Sequence, residues 1–179
     1  SNNLIWDDAV FIGRNPFVTD CSNLKTALNP VYLAKILPVP MSARPTVNIS
    51  ILLDTCAGGG AMSMRLTNLV LHAANAALVL MLAYVLTGAL APALLAGLLF
   101  GLHPACAEAV AIVTFRSQLL CVFFYLSALL SGLMYVRHRS PAFLAGSILA
   151  FLAAMLSNEA GITFPLVFAL LFLTVERVG

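Results

Sequence analysis

The sequence predicts an all-α polytopic membrane protein, with about five transmembrane helices plus short interfacial helices in an N-terminal extracytoplasmic loop. Three observations carry that prediction. Only 9% of the 179 residues are charged, against about 25% in a soluble domain. Apolar residues make up 61% of the chain, and the mean hydropathy is +1.01. Beyond residue 64 the apolar residues gather into long runs separated by short polar turns.

Residues 1–64 are the least apolar part, with Pro16, Pro30, Pro38, Pro40, Pro45 and the run Gly58-Gly59-Gly60. They contain no run of about 18 apolar residues, so no span is expected there. The segment is too long for a plain connector and suits a functional or docking layer. Two short helices are expected in it. One covers Asp20 to Tyr32 with Ser22 as its cap; the other covers Val47 to Asp54, with Pro45 in its first turn. The polar start at Ser1 has no apolar leader before it, so a signal peptide or first anchor is expected to lie outside this sequence.

The remainder, 65–179, is expected to be a transmembrane bundle with spans at about 65–87, 90–103, 117–136, 142–156 and 160–176. The first span carries Asn68, His72 and Asn75 at separations of four and three, one stripe of a helix. Such a stripe reads first as a seam hydrogen-bonded to neighbouring helices. Residues 105–136 are too long for one upright span: as a continuous helix they would measure about 48 Å against a core of about 30 Å. An interfacial helix at 105–115 resolves the excess.

Topology follows from charge. The turn Arg137-His138-Arg139 is expected on the cytoplasmic side. Counting outward places residues 1–64, the 103–116 connection and the 157–159 connection on the extracytoplasmic face. The basic residues of the N-terminal segment oppose this count, but long loops translocate largely regardless of charge. A net charge of +2 without a long basic run is too small to argue for nucleic acid, and none is expected as a partner. Cys106 and Cys121 read as small packing residues. Cys21 and Cys56 share the polar segment, where a disulfide is open to them in an oxidising compartment.

The ionisable groups beside the apolar runs are the functional candidates. Asp7-Asp8, His103, Glu108, Arg116 and Glu159 all fall on the extracytoplasmic face in this count. An acidic residue there can serve as a general base for a hydroxyl, and an adjacent acidic pair also suits a divalent metal ion. Arg44, Arg65 and Arg116 can hold a phosphate through their forked donors. Glu108 and Arg116, two helical turns apart, can instead pair with each other.

The order of motifs carries a resemblance. Trp6-Asp7-Asp8 is followed by Asn15-Pro16, Arg44-Pro45, the run Leu66 to His72, Leu102-His103-Pro104 with Glu108, then Arg116, and finally Ser157-Asn158-Glu159 with Pro165. This resembles the N-terminal membrane half of the transmembrane and tetratricopeptide-repeat proteins, O-mannosyltransferase-like members of the GT-C superfamily. The resemblance implies transfer of a sugar from a polyprenyl- or dolichyl-phosphate donor to a protein hydroxyl, in the bacterial inner membrane or the endoplasmic reticulum. It implies Asp7 and Asp8 as the catalytic pair, with Asp7 favoured as base. Arg44 and Arg116 would contact the donor phosphate, supported by His103, Glu108 and Glu159. No cofactor beyond a divalent metal is suggested. The expected partners are membrane lipid, the lipid-linked donor, and a protein acceptor or neighbouring membrane subunits.

The chain departs from the family pattern in three motifs. His103-Pro-Ala-Cys-Ala-Glu108 lacks a His and a Thr, Phe115-Arg-Ser-Gln118 lacks a carboxylate, and Ser157-Asn-Glu159 lacks a cation. The departures point to a truncated or degenerate copy. The alternative function is therefore a non-catalytic structural subunit on the same scaffold within a larger membrane complex. A transporter is a distant third, since intramembrane polar residues are few and no inverted repeat is visible.

Overall fold

The computed structural model describes residues 8, 12–13, 15–27, 29 and 44–178. Among these the regular elements are all helical. The α-helices are α1 (Pro16–Thr19), α2 (Pro45–Cys56), α3 (Ala61–Thr87), α4 (Leu90–Gly101), α5 (Cys106–Ala111), α6 (Arg116–His138), α7 (Pro141–Ser157) and α8 (Phe164–Val178). Three 3-10 turns, Cys21–Lys25, Val113–Phe115 and Glu159–Thr163, link or precede them.

Two helical stretches are long and apolar enough to cross a membrane, Ala61–Thr87 and Val113–His138. Their most apolar windows are only 11% and 39% buried. The core helix of a soluble protein would be mostly covered. The shorter apolar helices are Leu90–Gly101, Pro141–Ser157 and Glu159–Leu173. At about 1.5 Å per residue, α4 reaches only about 18 Å.

The chain divides into two compact units. The first comprises Ser1–His72 and Ala105–Leu120, the second Ala73–Pro104 and Cys121–Gly179. In the second unit Gly97 lets α4 approach α3 closely: a Cβ there would sit 2.9 Å from Leu80 Cβ. Its packed centre is Ala128, Leu129 and Phe164. Phe164 stacks on Phe151 at 5.0 Å and meets the edge of Tyr125 at 5.6 Å. Ser147 Oγ donates to the Ala128 carbonyl at 2.9 Å, a polar tie between α7 and α6. Gly161 lies against the backbone of Ala154 and Met155, where a Cβ would meet atoms at 2.9 Å and 3.0 Å.

In the first unit, Asn15 Oδ1 caps α1 by accepting the Phe17 N–H at 3.0 Å. Asp20, not Ser22, is the cap of the next turn; its Oδ1 accepts from the Ser22 N–H at 2.9 Å. That turn is a 3-10 helix over Cys21–Lys25, shorter than the helix expected over Asp20 to Tyr32, whose far end lies partly outside the described residues. α2 begins with Pro45 in its first turn and runs past Asp54 to Cys56. It stops where Gly58 adopts φ 75°, a left-handed conformation costly for residues with a Cβ. Gly59 follows so closely that a Cβ would lie 2.7 Å from the Asp54 carbonyl. Beyond this sharp turn, Thr67 of α3 meets Asp54 of α2 through a hydrogen bond of 2.9 Å. A disulfide joins Cys21 to Cys56 and ties the 3-10 turn to the end of α2.

The helix expected at 105–115 is interrupted. α5 covers only Cys106–Ala111, Ile112 is extended (φ −101°, ψ 119°), and a 3-10 turn follows. Ile112, Val113 and Thr114 form a β-branched run, which weakens helix propensity. The break turns two backbone N–H groups towards a side chain 105 residues earlier in the sequence.

Candidate functional site

The polar groups of the first unit converge on the segment from Val113 to Ser117. Its anchor is Arg116, the first residue of α6, which is fully buried. Its Nε donates to Asn68 Oδ1 at 2.9 Å, its Nη1 to Ser50 Oγ at 3.2 Å and its Nη2 to the Met64 carbonyl at 2.6 Å. The same Nη1 lies 2.6 Å from Asp54 Oδ2, completing an ion pair. Asp54 is held in turn through its other oxygen, which accepts from Thr67 Oγ1 at 2.9 Å. A buried guanidinium is tolerable only with its charge matched and its donors used. Here α2 supplies the countercharge and α3 supplies acceptors.

Asn68 shows why α3 carries an amide at this height. Its oxygen accepts from Arg116, while its Nδ2 faces the carbonyls of Ala109, Val110 and Ile112 at 3.4, 3.5 and 3.2 Å. The first two lie in the last turn of α5, where carbonyls lack partners within the helix; the third belongs to the extended residue that follows. The polar stripe on α3 is thus a seam at Asn68. Arg65 adds to it by donating from Nε to the Ala111 carbonyl at 3.1 Å.

Asp8 is the second fixed point. It is fully buried. Its Oδ2 accepts the Val113 N–H at 3.0 Å; its Oδ1 accepts the Thr114 N–H at 2.7 Å and the Thr114 hydroxyl at 2.6 Å. Its own carbonyl accepts from the N–H groups of Ile12 and Gly13, each at 3.1 Å. The residue is therefore clamped by side chain and backbone together, and it also interacts electrostatically with Arg116. Arg44 completes the convergence by donating from Nη1 to Ser117 Oγ at 3.0 Å.

Of the residues expected at a site, Asp8, Arg44 and Arg116 are brought together on 113–117. Asp7 lies outside the described residues, next in sequence to the clamped Asp8. Glu108 is exposed on α5, and the countercharge of Arg116 is Asp54 rather than Glu108. The break at Ile112 ends the helix that would have stacked Glu108 and Arg116 on one face. His103 and Glu159 belong to the second unit, and both are exposed. Glu159 opens the 3-10 turn capped by Asn158. Sequence reasoning missed Asp54, Ser50 and Thr114. The available signal was Asp54 itself, a carboxylate on an expected helix in a chain with only seven acidic residues. Among the described residues no group of three His, Cys, Asp or Glu side chains is placed to hold a metal ion.

Fold and site together define a helical protein with helices of membrane-crossing length, whose scarce charges are gathered where α6 begins. Two known proteins are similar to this chain in sequence. Protein O-mannosyl-transferase Tmtc1 of Drosophila melanogaster is 37% identical over 123 residues, covering 68% of this chain. Protein O-mannosyl-transferase Tmtc2 of the same fly is 35% identical over 137 residues, covering 72% of this chain. The chain is thus distantly homologous to these two proteins, and it spans 14% and 15% of their lengths. No protein-family profile and no solved structure matches it.

Proposed function

We propose that the chain is a GT-C-like membrane glycosyltransferase module, which moves a sugar from a polyprenyl- or dolichyl-phosphate donor to a protein hydroxyl. The observation that carries this reading is the similarity to two proteins named as O-mannosyl-transferases. In this reading five helical segments cross the membrane of the endoplasmic reticulum or the bacterial inner membrane. Residues 1–64 and the connections at 103–116 and 157–159 face away from the cytoplasm. The Cys21–Cys56 disulfide supports that side for residues 1–64, because such bonds persist in oxidising compartments.

Asp7 is the base. It takes the proton of the acceptor hydroxyl as the oxygen attacks the anomeric carbon; the bond from that carbon to the phosphate oxygen breaks, and the lipid phosphate leaves with the electron pair. Asp8 is committed to Val113 and Thr114, so its carboxylate is held in a structural role rather than as the base. Arg44, half-buried beside Ser117, is the better placed of the two expected phosphate contacts. Arg116 is enclosed by its own protein partners. The test is transfer from a dolichyl-phosphate mannose to a Ser/Thr peptide by the purified chain in detergent. Asp7→Asn should lower kcat by about 10²–10⁴, the usual share of a general base. Unchanged turnover in that variant would refute the assignment.

A second reading, a non-catalytic subunit that packs on other membrane proteins, is favoured by one observation. The guanidinium of Arg116 is spent on Asp54, Ser50, Met64 and Asn68. Wild-type protein without any transfer would support that reading.

A further inference from the structure

We propose that the Asp54–Arg116 ion pair is a positioning latch: it sets the height of the 113–114 backbone on which the Asp8 carboxylate hangs, and a shift of that backbone lowers turnover. The catalytic half of this inference rests on the transferase reading; the positional half does not.

The contacts run as a chain within one unit. Asp54 stands on α2, whose outer end is tied by the Cys21–Cys56 disulfide and whose turn into α3 is fixed at Gly58 and Gly59. Arg116 reaches Asp54 and Ser50 on α2 and Met64 and Asn68 on α3. One fully buried side chain therefore registers the start of α6 against two helices at once. Thr114 lies two residues before Arg116 and Val113 three, with only a 3-10 turn between, so their N–H groups move with it. Those groups are what the Asp8 carboxylate binds. No stage in this chain passes through a long flexible side chain exposed to water. Ion pairs on a protein surface position little, because water screens them and both partners swing freely. This pair is enclosed: Arg116 is 0% exposed and Asp54 14%.

Two variants separate positioning from mere structural support. Asp54→Asn keeps the shape and the hydrogen bond to Thr67 but leaves the Arg116 charge unmatched. The double variant Asp54→Asn/Arg116→Gln removes both charges, so no buried charge is stranded if the single variant folds poorly. Hydrogen exchange of the full chain in detergent micelles reads the backbone. The expected result in either folded variant is at least tenfold faster exchange at Val113 and Thr114, with the middle of α3 unchanged. Exchange that stays at the wild-type rate at 113–114 overturns the latch, and so does protection lost evenly across α3 and 113–114. A second readout is turnover: kcat should fall at least tenfold while KM for the lipid-phosphate donor stays within about twofold. Wild-type protein that shows the expected exchange pattern but no transfer would sink the transferase reading and leave the latch standing. Normal wild-type turnover, with exchange and kcat unchanged in the double variant, would do the reverse.

Discussion

Asp8 and Arg116 are charges that the chain can bury only because each is met by several partners. For Asp8 the partners are two N–H groups and a hydroxyl. Asp8→Ala would strand the buried Val113 N–H, and an unmade buried hydrogen bond costs about 1–3 kcal/mol. We expect a loss of about 2–4 kcal/mol in unfolding free energy, measured by urea titration in detergent. Asp20 is the contrasting case, a surface carboxylate. The backbone and side chain of Ser22 hold its carboxyl below the usual carboxylate range. A depressed carboxyl stabilises the fold above the ordinary carboxylate pKa, and that contribution is lost as pH falls through the lower, folded-state value. The Ser22 amide resonance should therefore titrate in that acid range, and Asp20→Asn should abolish the titration. Asp8 and Arg116 stand out in the sequence because charge is scarce. Their partners do not, because a carbonyl or backbone N–H carries no mark in the sequence of who will bind it.

At the level of elements, periodicity and punctuation were the readable signals. Pro45 in the first turn of α2, Gly58 at its end and the polar turn before Pro141 all bound helices where local chemistry demands it. α5 was less legible. Its length depends on Ile112 leaving the helix, and the N–H groups freed beyond it are taken by Asp8 from far away in sequence. The Cys21–Cys56 bridge sits between these cases, since the pairing was open from the sequence and is made in the fold. It closes a loop of 35 residues. In the chain-entropy account such a link contributes roughly 4 kcal/mol. Cys56→Ser should lower stability by about 2–4 kcal/mol and leave Cys21 open to alkylation. Alkylation of Cys21 in the unreduced wild-type chain would contradict the pairing.

For the whole molecule, α3 and the stretch that ends in α6 are long and apolar enough to cross a membrane, and in the proposed reading the side of the membrane becomes the testable quantity. In the topology proposed, a cysteine placed at Ser140 should react with an impermeant maleimide only from the cytoplasmic side. One placed at Thr19 should react only from the other. Labelling of both from the same side would reject the arrangement. By itself, the sequence determined what depends on neighbours along the chain: the helical class, the long apolar runs and most helix ends. The tertiary structure alone decided which charges meet. Asp54 rather than Glu108 answers Arg116, and Asp8 grips a backbone 105 residues away. Hydropathy and capping act over one or two helical turns and can be read locally. A buried ion pair forms between whichever groups the packing of helices brings within reach, and that is settled only when the whole unit has folded.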